Sequence, residues 1–133
     1  RVPTVILDAS AILSVILAEP GHEVILRRLG EAPIVAAGAP TLVETAMVLS
    51  SWLGRDARPL LNEFLREADV EVVPFGRDHY EAAIDAFQRY GKGRHAAALN
   101  FGDCLSYAVA RLSGLPLLFT GEDFAKTDLA GTQ

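Results

Sequence analysis

Cysteine is nearly absent from the sequence: Cys104 is the only one among 133 residues, so no disulfide can form within the chain. This usage is typical of a reducing compartment, and we expect a cytoplasmic protein. Long hydrophobic runs are absent too, since every apolar stretch is far shorter than the ~20 residues of a membrane-spanning helix. Arg1-Val2-Pro3 leads into an apolar run without a cleavable signal pattern, so we expect no membrane partner.

Positive charge is also in short supply. The chain has 12 Lys and Arg residues against 17 Asp and Glu residues, which gives a formal net charge of -5. Most nucleic-acid-binding proteins are basic, so this balance argues mildly against such a partner. The objection weakens if several acids share a metal site, because bound cations would offset their charge. The length favours one packed domain over residues 1–133.

Short apolar runs alternate with segments of helical periodicity along the chain. We predict strands over 5–7, 34–37, 70–73 and 117–119, and a short edge strand from Thr127. Helices are predicted over 10–17 and 23–29, and in further segments that begin near Pro40, Asp56, Asp78 and Asn100. Strands that alternate with helices pair in parallel through right-handed crossovers. The predicted fold class is therefore α/β, a three-layer α/β/α sandwich with a short parallel sheet.

Four acids occupy notable positions, although each also has an ordinary explanation. Asp8 follows the first strand and could simply cap the next helix. Glu44 stands three residues after Thr41, which is the spacing of a helix capping box. Asp103 and Asp123 could be first-turn acids that favour the helix dipole. Taken singly, these residues do not decide between structure and function.

The combination favours a metal site. Residues that follow strands or open helices in an α/β sheet gather at one edge, and like charges brought together there repel. A hard divalent cation held by oxygen ligands is the usual resolution, and Mg²⁺ and Mn²⁺ both accept such ligands. Two cations could activate water and stabilise the leaving oxygen of a phosphodiester. Cys104 and the three histidines show no competing spacing of metal ligands or of a catalytic triad.

At this point the residues resemble a known family, the PIN-domain ribonucleases, and within it the VapC toxins of bacterial toxin–antitoxin pairs. The resemblance runs nearly end to end. It is carried by Leu7-Asp8-Ala9-Ser10-Ala11, Glu44-Thr45-Ala46, Tyr90-Gly91-Lys92-Gly93-Arg94-His95, Leu99-Asn100-Phe101-Gly102-Asp103-Cys104, Pro116-Leu117-Leu118-Phe119, Gly121-Glu122-Asp123-Phe124 and Thr127-Asp128. Any one segment is a weak signal, but their order and spacing together are specific.

The resemblance implies roles for particular residues. Asp8, Glu44 and Asp103 match the first three family acids, and Asp123 matches the fourth, although the adjacent Glu122 is an alternative. The matching small hydroxyl residue Ser10 would support the first acid. The family also implies hydrolysis of RNA by metal-activated water, leaving a 5′-phosphate, and a homodimer that a VapB-type antitoxin neutralises.

A basic, glycine-rich loop precedes the Asp103 helix. Its Lys92, Arg94 and His95 could hold RNA phosphates, although basic residues after a helix C-terminus also suit the helix dipole. We favour RNA binding, because glycines let a backbone approach phosphates closely. Ser106, three residues beyond Asp103, could steady a ligand water, but it is expected to pack or to bond back to its own helix.

Three hypotheses from different classes remain open. The first is a Mg²⁺-dependent endoribonuclease toxin of a type II toxin–antitoxin system. The second is a Mg²⁺-dependent phosphatase or phospho-receiver on a similar sheet; the phosphatase would want an acid at Ser10, and the receiver would want paired acids near the first strand. The third is a catalytically dead PIN-like binding module, which would predict the loss of an acid. A test for metal-stimulated RNA cleavage separates the three.

Overall fold

A computed structural model of the protein describes residues 4–129. Its sheet has four parallel strands, in the spatial order β3-β2-β1-β4. The strands are β1 (Val5–Leu7), β2 (Val35–Gly38), β3 (Val70–Val73) and β4 (Leu117–Leu118). The parallel pairing confirms the prediction from alternating strands and helices.

Helices connect the strands. In chain order they are α1 (Ala9–Ile16), α2 (His22–Glu31), α3 (Ala39–Leu53), α4 (Arg58–Glu67), α5 (Arg77–Tyr90) and α6 (Phe101–Ser113), followed by one 3-10 turn (Phe124–Lys126). Within residues 4–129, no helix is both long and apolar enough to cross a membrane.

The two faces of the sheet are covered by different helices. Val5 and Leu7 of β1 pack into a core with α1, α2, α3 and α4, whereas Ile6 between them packs with α5 and α6. This follows from the strand geometry, since successive side chains point to opposite faces. Every described residue of β1 is buried, as expected for a parallel strand covered on both sides. The predicted three-layer α/β/α sandwich is confirmed.

Three local predictions need correction. The helix α3 begins at Ala39 with Gly38 at its N-cap, so Thr41 and Glu44 do not form a capping box. Neither Asp56 nor Asp78 is the N-cap of the helix expected to begin there: the N-cap is Ala57 for α4 and Gly76 for α5, and Asp78 lies in the first turn of α5. No strand begins at Thr127 among the described residues, where 127–129 form a bend and turn; residues 130–133 lie outside the described residues.

The central position of α6 matters most for the site. All of its residues from Cys104 to Ala110 are buried, so this helix is enclosed on nearly every side. It contacts α5, α3 and the strands β1, β2 and β4. Residues near its N-terminus therefore lie beside the carboxyl end of β1, where functional sites of open α/β sheets are usually found.

Candidate metal centre

Asp8 is the N-cap of α1 and is 4% exposed. Its Oδ2 atom accepts hydrogen bonds from the Ser10 backbone nitrogen at 3.0 Å and from Ser10 Oγ at 2.6 Å. Its Oδ1 atom accepts one from Ser106 Oγ at 2.6 Å. The capping explanation for Asp8 is therefore correct, and Ser10 contacts it as the sequence comparison implied. Capping occupies only part of what the two oxygens can accept.

Ser106 is a contact that the sequence did not reveal. We expected it to pack or to bond back to its helix, but its hydroxyl donates to Asp8, 98 positions away in the chain. The Thr41 hydroxyl lies 3.2 Å from the same Ser106 oxygen. The available signal was a serine on an otherwise apolar stretch of α6, three residues from Asp103, since residues at this spacing share a helix face.

Asp103 forms a reciprocal capping pair with Asn100 at the start of α6. The Asp103 backbone nitrogen donates to Asn100 Oδ1 at 2.9 Å, and the Asn100 backbone nitrogen donates to Asp103 Oδ2 at 3.1 Å. The ordinary explanation again holds for this residue. It accounts for one carboxylate oxygen, so the side chain is positioned by the helix end while the other oxygen has no bond to the cap.

Glu44 lies inside α3, beyond its first turn, and its carboxylate packs against Gly102 of α6. A Cβ atom added at Gly102 would overlap the Glu44 carboxylate. Gly102 is buried. The glycine thus permits Glu44 to approach the backbone of α6 next to Asp103. Glu44 is half-buried at this contact.

The electrostatic environment links the four acids. Burial raises the pKa of Asp103 to about 7; the Asn100 backbone N–H opposes this, and the charges of Asp8, Asp123 and Glu44 add to it. Burial also raises the pKa of Glu44, with a further contribution from Asp8. The fold therefore concentrates negative charge around Asp103, which is the condition under which a cation binds favourably.

Asp123 follows β4 and immediately precedes the 3-10 turn. Phe124 anchors this turn, since it is 2% exposed and its ring lies 5.1 Å from that of Phe119. Asp123 itself is exposed and makes no capping bond through its side chain. Its charge contributes to the raised pKa of Asp103.

The donor set suits a hard cation, because it consists of carboxylates with hydroxyl support. In residues 4–129, no three Asp, Glu, His or Cys side chains already converge as a ready-made cage. Burial first, and then the neighbouring acids, raise the pKa values of Asp103 and Glu44, and a divalent cation would favour their ionised forms. By this chemistry the residues fit Mg²⁺ or Mn²⁺. Neighbouring Cys104 is buried, and burial together with Asp103 raises its pKa to about 11.

The basic loop lies beside this region, and its three residues differ in their surroundings. Lys92 is exposed and lines the same groove as Glu44. The Arg94 guanidinium lies 5.0 Å from the centre of the Phe87 ring, which is a cation–π contact. His95 Nδ1 accepts a hydrogen bond from the Ala97 backbone nitrogen at 3.0 Å, so one ring nitrogen serves the loop itself.

The surface has two apolar grooves, and the larger one includes Glu44 in its lining. The larger, about 1030 Å³, lies between α3, α5 and α6. We call it the α5 groove, and its lining includes Met47, Tyr80, Ile84, Phe87 and Phe101, which are 37–81% exposed. The smaller, about 460 Å³, lies between α1, α2 and α4 and is called the α4 groove. Exposed apolar surface of this extent is typical of protein contacts.

Comparison with known proteins identifies the family. The PIN domain model matches residues 5–129. The chain therefore belongs to the PIN-domain family. Among curated proteins it is 41% identical over 125 residues to a ribonuclease VapC of Mycolicibacterium smegmatis, covering 94% of this chain and 97% of that one. It is 42% identical to ribonuclease VapC36 of Mycobacterium tuberculosis, covering 93% and 90%.

Solved structures agree on the fold. The crystal structure of Mycobacterium tuberculosis VapC20, described as a toxin that cleaves the sarcin-ricin loop, matches with a TM-score of 0.74. It is 23% identical, with 97% of this chain and 96% of that chain covered. A toxin–antitoxin complex from Klebsiella pneumoniae matches with a TM-score of 0.68 and 19% identity, covering 94% and 93%. The VapC-like PIN fold inferred from the sequence is thus confirmed.

Proposed function

We propose that the protein is a metal-dependent endoribonuclease and the toxin of a type II toxin–antitoxin system. The observation that carries the proposal is the charge environment of Asp103, whose pKa is raised by burial and by Asp8, Asp123 and Glu44 together. A carboxyl group whose pKa is raised by burial and by neighbouring acids, at the carboxyl edge of a sheet, is typical of functional sites. The relatives named VapC ribonuclease support the same activity.

In this proposal Asp8, Glu44, Asp103 and Asp123 hold Mg²⁺, with Mn²⁺ as an alternative ion. When bound, the metal activates water for attack on the RNA phosphodiester and offsets charge on the leaving oxygen. Ser10 and Ser106 fix the Asp8 carboxylate through hydrogen bonds of 2.6 Å each. The adjacent Glu122 is the alternative to Asp123 as the fourth acid.

The RNA approaches from the side of the basic loop. Lys92 and Arg94 are exposed and supply positive charge in a chain whose formal net charge is -5. Phosphate contacts from such residues provide affinity and position without reading sequence. His95 contributes through its remaining ring nitrogen. The local basic loop thereby answers the objection that the chain as a whole is acidic.

Two kinds of protein partner complete the proposal. A second copy of the chain packs on the α5 groove to form a homodimer, because the apolar stripe of α5 is left uncovered there. A VapB-type antitoxin wraps apolar helical surface and places an arginine, or less well a lysine, among the four acids. Arginine suits this position, since its planar fork can bind a carboxylate through two hydrogen bonds. That cation would compete with Mg²⁺ for the same oxygens.

The test is RNA cleavage across Mg²⁺ and Mn²⁺ concentrations, compared with chelator. Asp8→Asn, Asp103→Asn and Asp123→Asn should each remove metal-stimulated cleavage. Asp85→Asn is the matched control, because Asp85 is an exposed acid on α5. Full activity in the three site variants, or cleavage that persists in chelator, would contradict the proposal. In the complex, inhibition that survives removal of every basic residue of the antitoxin and ignores Mg²⁺ would contradict the arginine mechanism.

A further inference from the structure

A chain of buried hydroxyl groups leads from α3 through α6 to Asp8. Thr41 Oγ1 lies 3.2 Å from Ser106 Oγ, and Ser106 Oγ lies 2.6 Å from Asp8 Oδ1. Thr41 and Ser106 are each 1% exposed. Buried polar groups are costly unless they are bonded, so this arrangement needs all of its members in place.

The direction of the hydrogen bonds follows from proton counting. A serine hydroxyl carries one proton, and that of Ser106 is donated to the Asp8 carboxylate. Thr41 must therefore donate to Ser106. Both bonds point the same way and end on a charged acceptor, and hydrogen bonds arranged in this way polarise and strengthen one another.

The chain of hydroxyls joins the elements that carry the other acids. Thr41 precedes Glu44 by three residues on α3, and Ser106 follows Asp103 by three residues on α6. Residues at this spacing share one helix face. On the other side of Asp8, Ser10 Oγ accepts from the Thr120 backbone nitrogen at 3.1 Å, in the segment that leads to Asp123. Hydrogen bonds through these hydroxyls thus connect Asp8 to the three segments that carry Glu44, Asp103 and Asp123.

We propose that Thr41 and Ser106 are positioning residues for the metal centre. Together with Ser10 they set the orientation of the Asp8 carboxylate. Oδ2 already accepts two hydrogen bonds from Ser10, whereas Oδ1 accepts one from Ser106 and keeps its second acceptor position for a cation. This inference rests on the proposed metal-dependent function. Neither residue touches the metal or the RNA; each acts through Asp8.

The experiment compares two threonines on the same helix. Thr41→Val keeps the shape of the side chain and removes the hydroxyl that donates to Ser106. Thr45→Val makes the same change at a side chain that is 0% exposed, but the Thr45 hydroxyl bonds only to the Thr41 backbone oxygen, at 2.7 Å. Mn²⁺ affinity is measured on each purified full chain from the electron paramagnetic resonance signal of free Mn²⁺, beside thermal melting.

We expect Ser106→Ala to weaken Mn²⁺ binding about tenfold, the lower end of the range for residues behind a metal ligand. We expect a smaller loss, about threefold, for Thr41→Val, because Thr41 acts on Asp8 only through Ser106. Thr41→Ser should restore affinity, because it keeps the hydroxyl. Thr45→Val should leave affinity unchanged whatever its effect on melting. Equal losses in Thr41→Val and Thr45→Val, or none in Thr41→Val and Ser106→Ala, would overturn the proposal. If Thr41→Val does not fold, Ser106→Ala alone decides, since it is the smaller change.

Asp8→Asn separates the two possible failures. If Asp8→Asn loses Mn²⁺ binding while Ser106→Ala and Thr41→Val retain it, the metal site stands and the positioning role is wrong. If Asp8→Asn binds Mn²⁺ as tightly as the unchanged protein, the metal site itself is wrong and the positioning role falls with it.

Discussion

Asp8 and Asp103 both lie at the start of a helix, but the fold treats the two carboxylates differently. Both oxygens of Asp8 accept short hydrogen bonds from buried or half-buried hydroxyls. Asp103 accepts one bond, from the Asn100 backbone, and faces three other acids. Hydrogen-bond donors therefore stabilise the Asp8 carboxylate, whereas the Asp103 carboxylate is repelled by three other acids. Metal-free stability and metal binding are in conflict mainly at Asp103.

The largest effect is expected from Asp8→Asn, which tests the donor-rich half of this comparison. We expect cleavage to fall more than about 100-fold, beyond the range typical of residues behind a metal ligand. Unlike a change at Asp103, it should also lower stability by about 1–3 kcal/mol, because one hydroxyl loses its acceptor. RNA cleavage and urea unfolding without metal check both parts. Unchanged stability would mean that the two hydroxyls do not depend on the carboxylate.

Asp103→Asn should abolish cleavage as well, but raise the stability of the metal-free protein. Asparagine keeps an acceptor for the Asn100 backbone N–H and removes the charge that the other acids oppose. The raised pKa of Asp103 corresponds to several kcal/mol of unfolding free energy. Because the side chain is partly solvated, we expect the variant to be more stable by only about 1–2 kcal/mol at pH 8.

The pH dependence of that gain has a definite sign. The folded pKa of Asp103 is about 7, above the value of 3.8 for an unperturbed aspartate. The folded state therefore binds the Asp103 proton more tightly than the unfolded state does. The stability that this protonation contributes is lost as the pH rises from 4 to 7. The variant and the unchanged protein should be equally stable near pH 4 and diverge by pH 8. A constant difference over this range in metal-free urea unfolding would contradict the assignment.

Gly102→Ala probes the contact between Glu44 and the helix of Asp103. Gly102 is the second residue of α6, and the Cβ of an alanine there would meet the Glu44 carboxylate. We expect a loss of about 1–3 kcal/mol and weaker cleavage. In a Glu44→Ala background the same change should be neutral or stabilising. A double-mutant cycle by urea unfolding measures the coupling, and additive effects would show that the two groups do not touch.

The sequence predicted what depends on local pattern. Alternating apolar runs predicted the sheet, and an acid directly after the first strand predicted the position of Asp8. It placed Glu44 on the third helix, but the spacing of Thr41 and Glu44 also predicted a capping box, which the structure does not have. The Ser106–Asp8 bond spans 98 positions, and nothing in the local sequence distinguishes that serine from one bonded to its own helix.

The apolar residues of α5 also show what the sequence pattern could not predict. Its periodicity places Tyr80, Ile84 and Phe87 on one apolar stripe, yet these residues are 56%, 45% and 37% exposed. The buried positions of this helix are Ala83, Ala86 and, at its last residue, Tyr90. Hydrophobic periodicity identifies a face but not what covers it, since a core and a protein partner select the same residues.

The smallest effect is expected from Arg94→Ala, which tests whether the basic loop binds RNA near Asp8 and Asp103. Arg94 is exposed, its guanidinium lies over Phe87, and it belongs to the loop that precedes Asp103. Losing one phosphate contact should reduce the salt dependence of RNA affinity by about one unit of slope. Binding is measured in the Asp8→Asn background, so that the RNA stays intact. Arg94→Lys should restore the slope, because it keeps the charge, and Arg66→Ala on α4 is the control away from the loop. An unchanged slope in Arg94→Ala would mean that the loop does not bind RNA, and Asp103 would then be reached from another side.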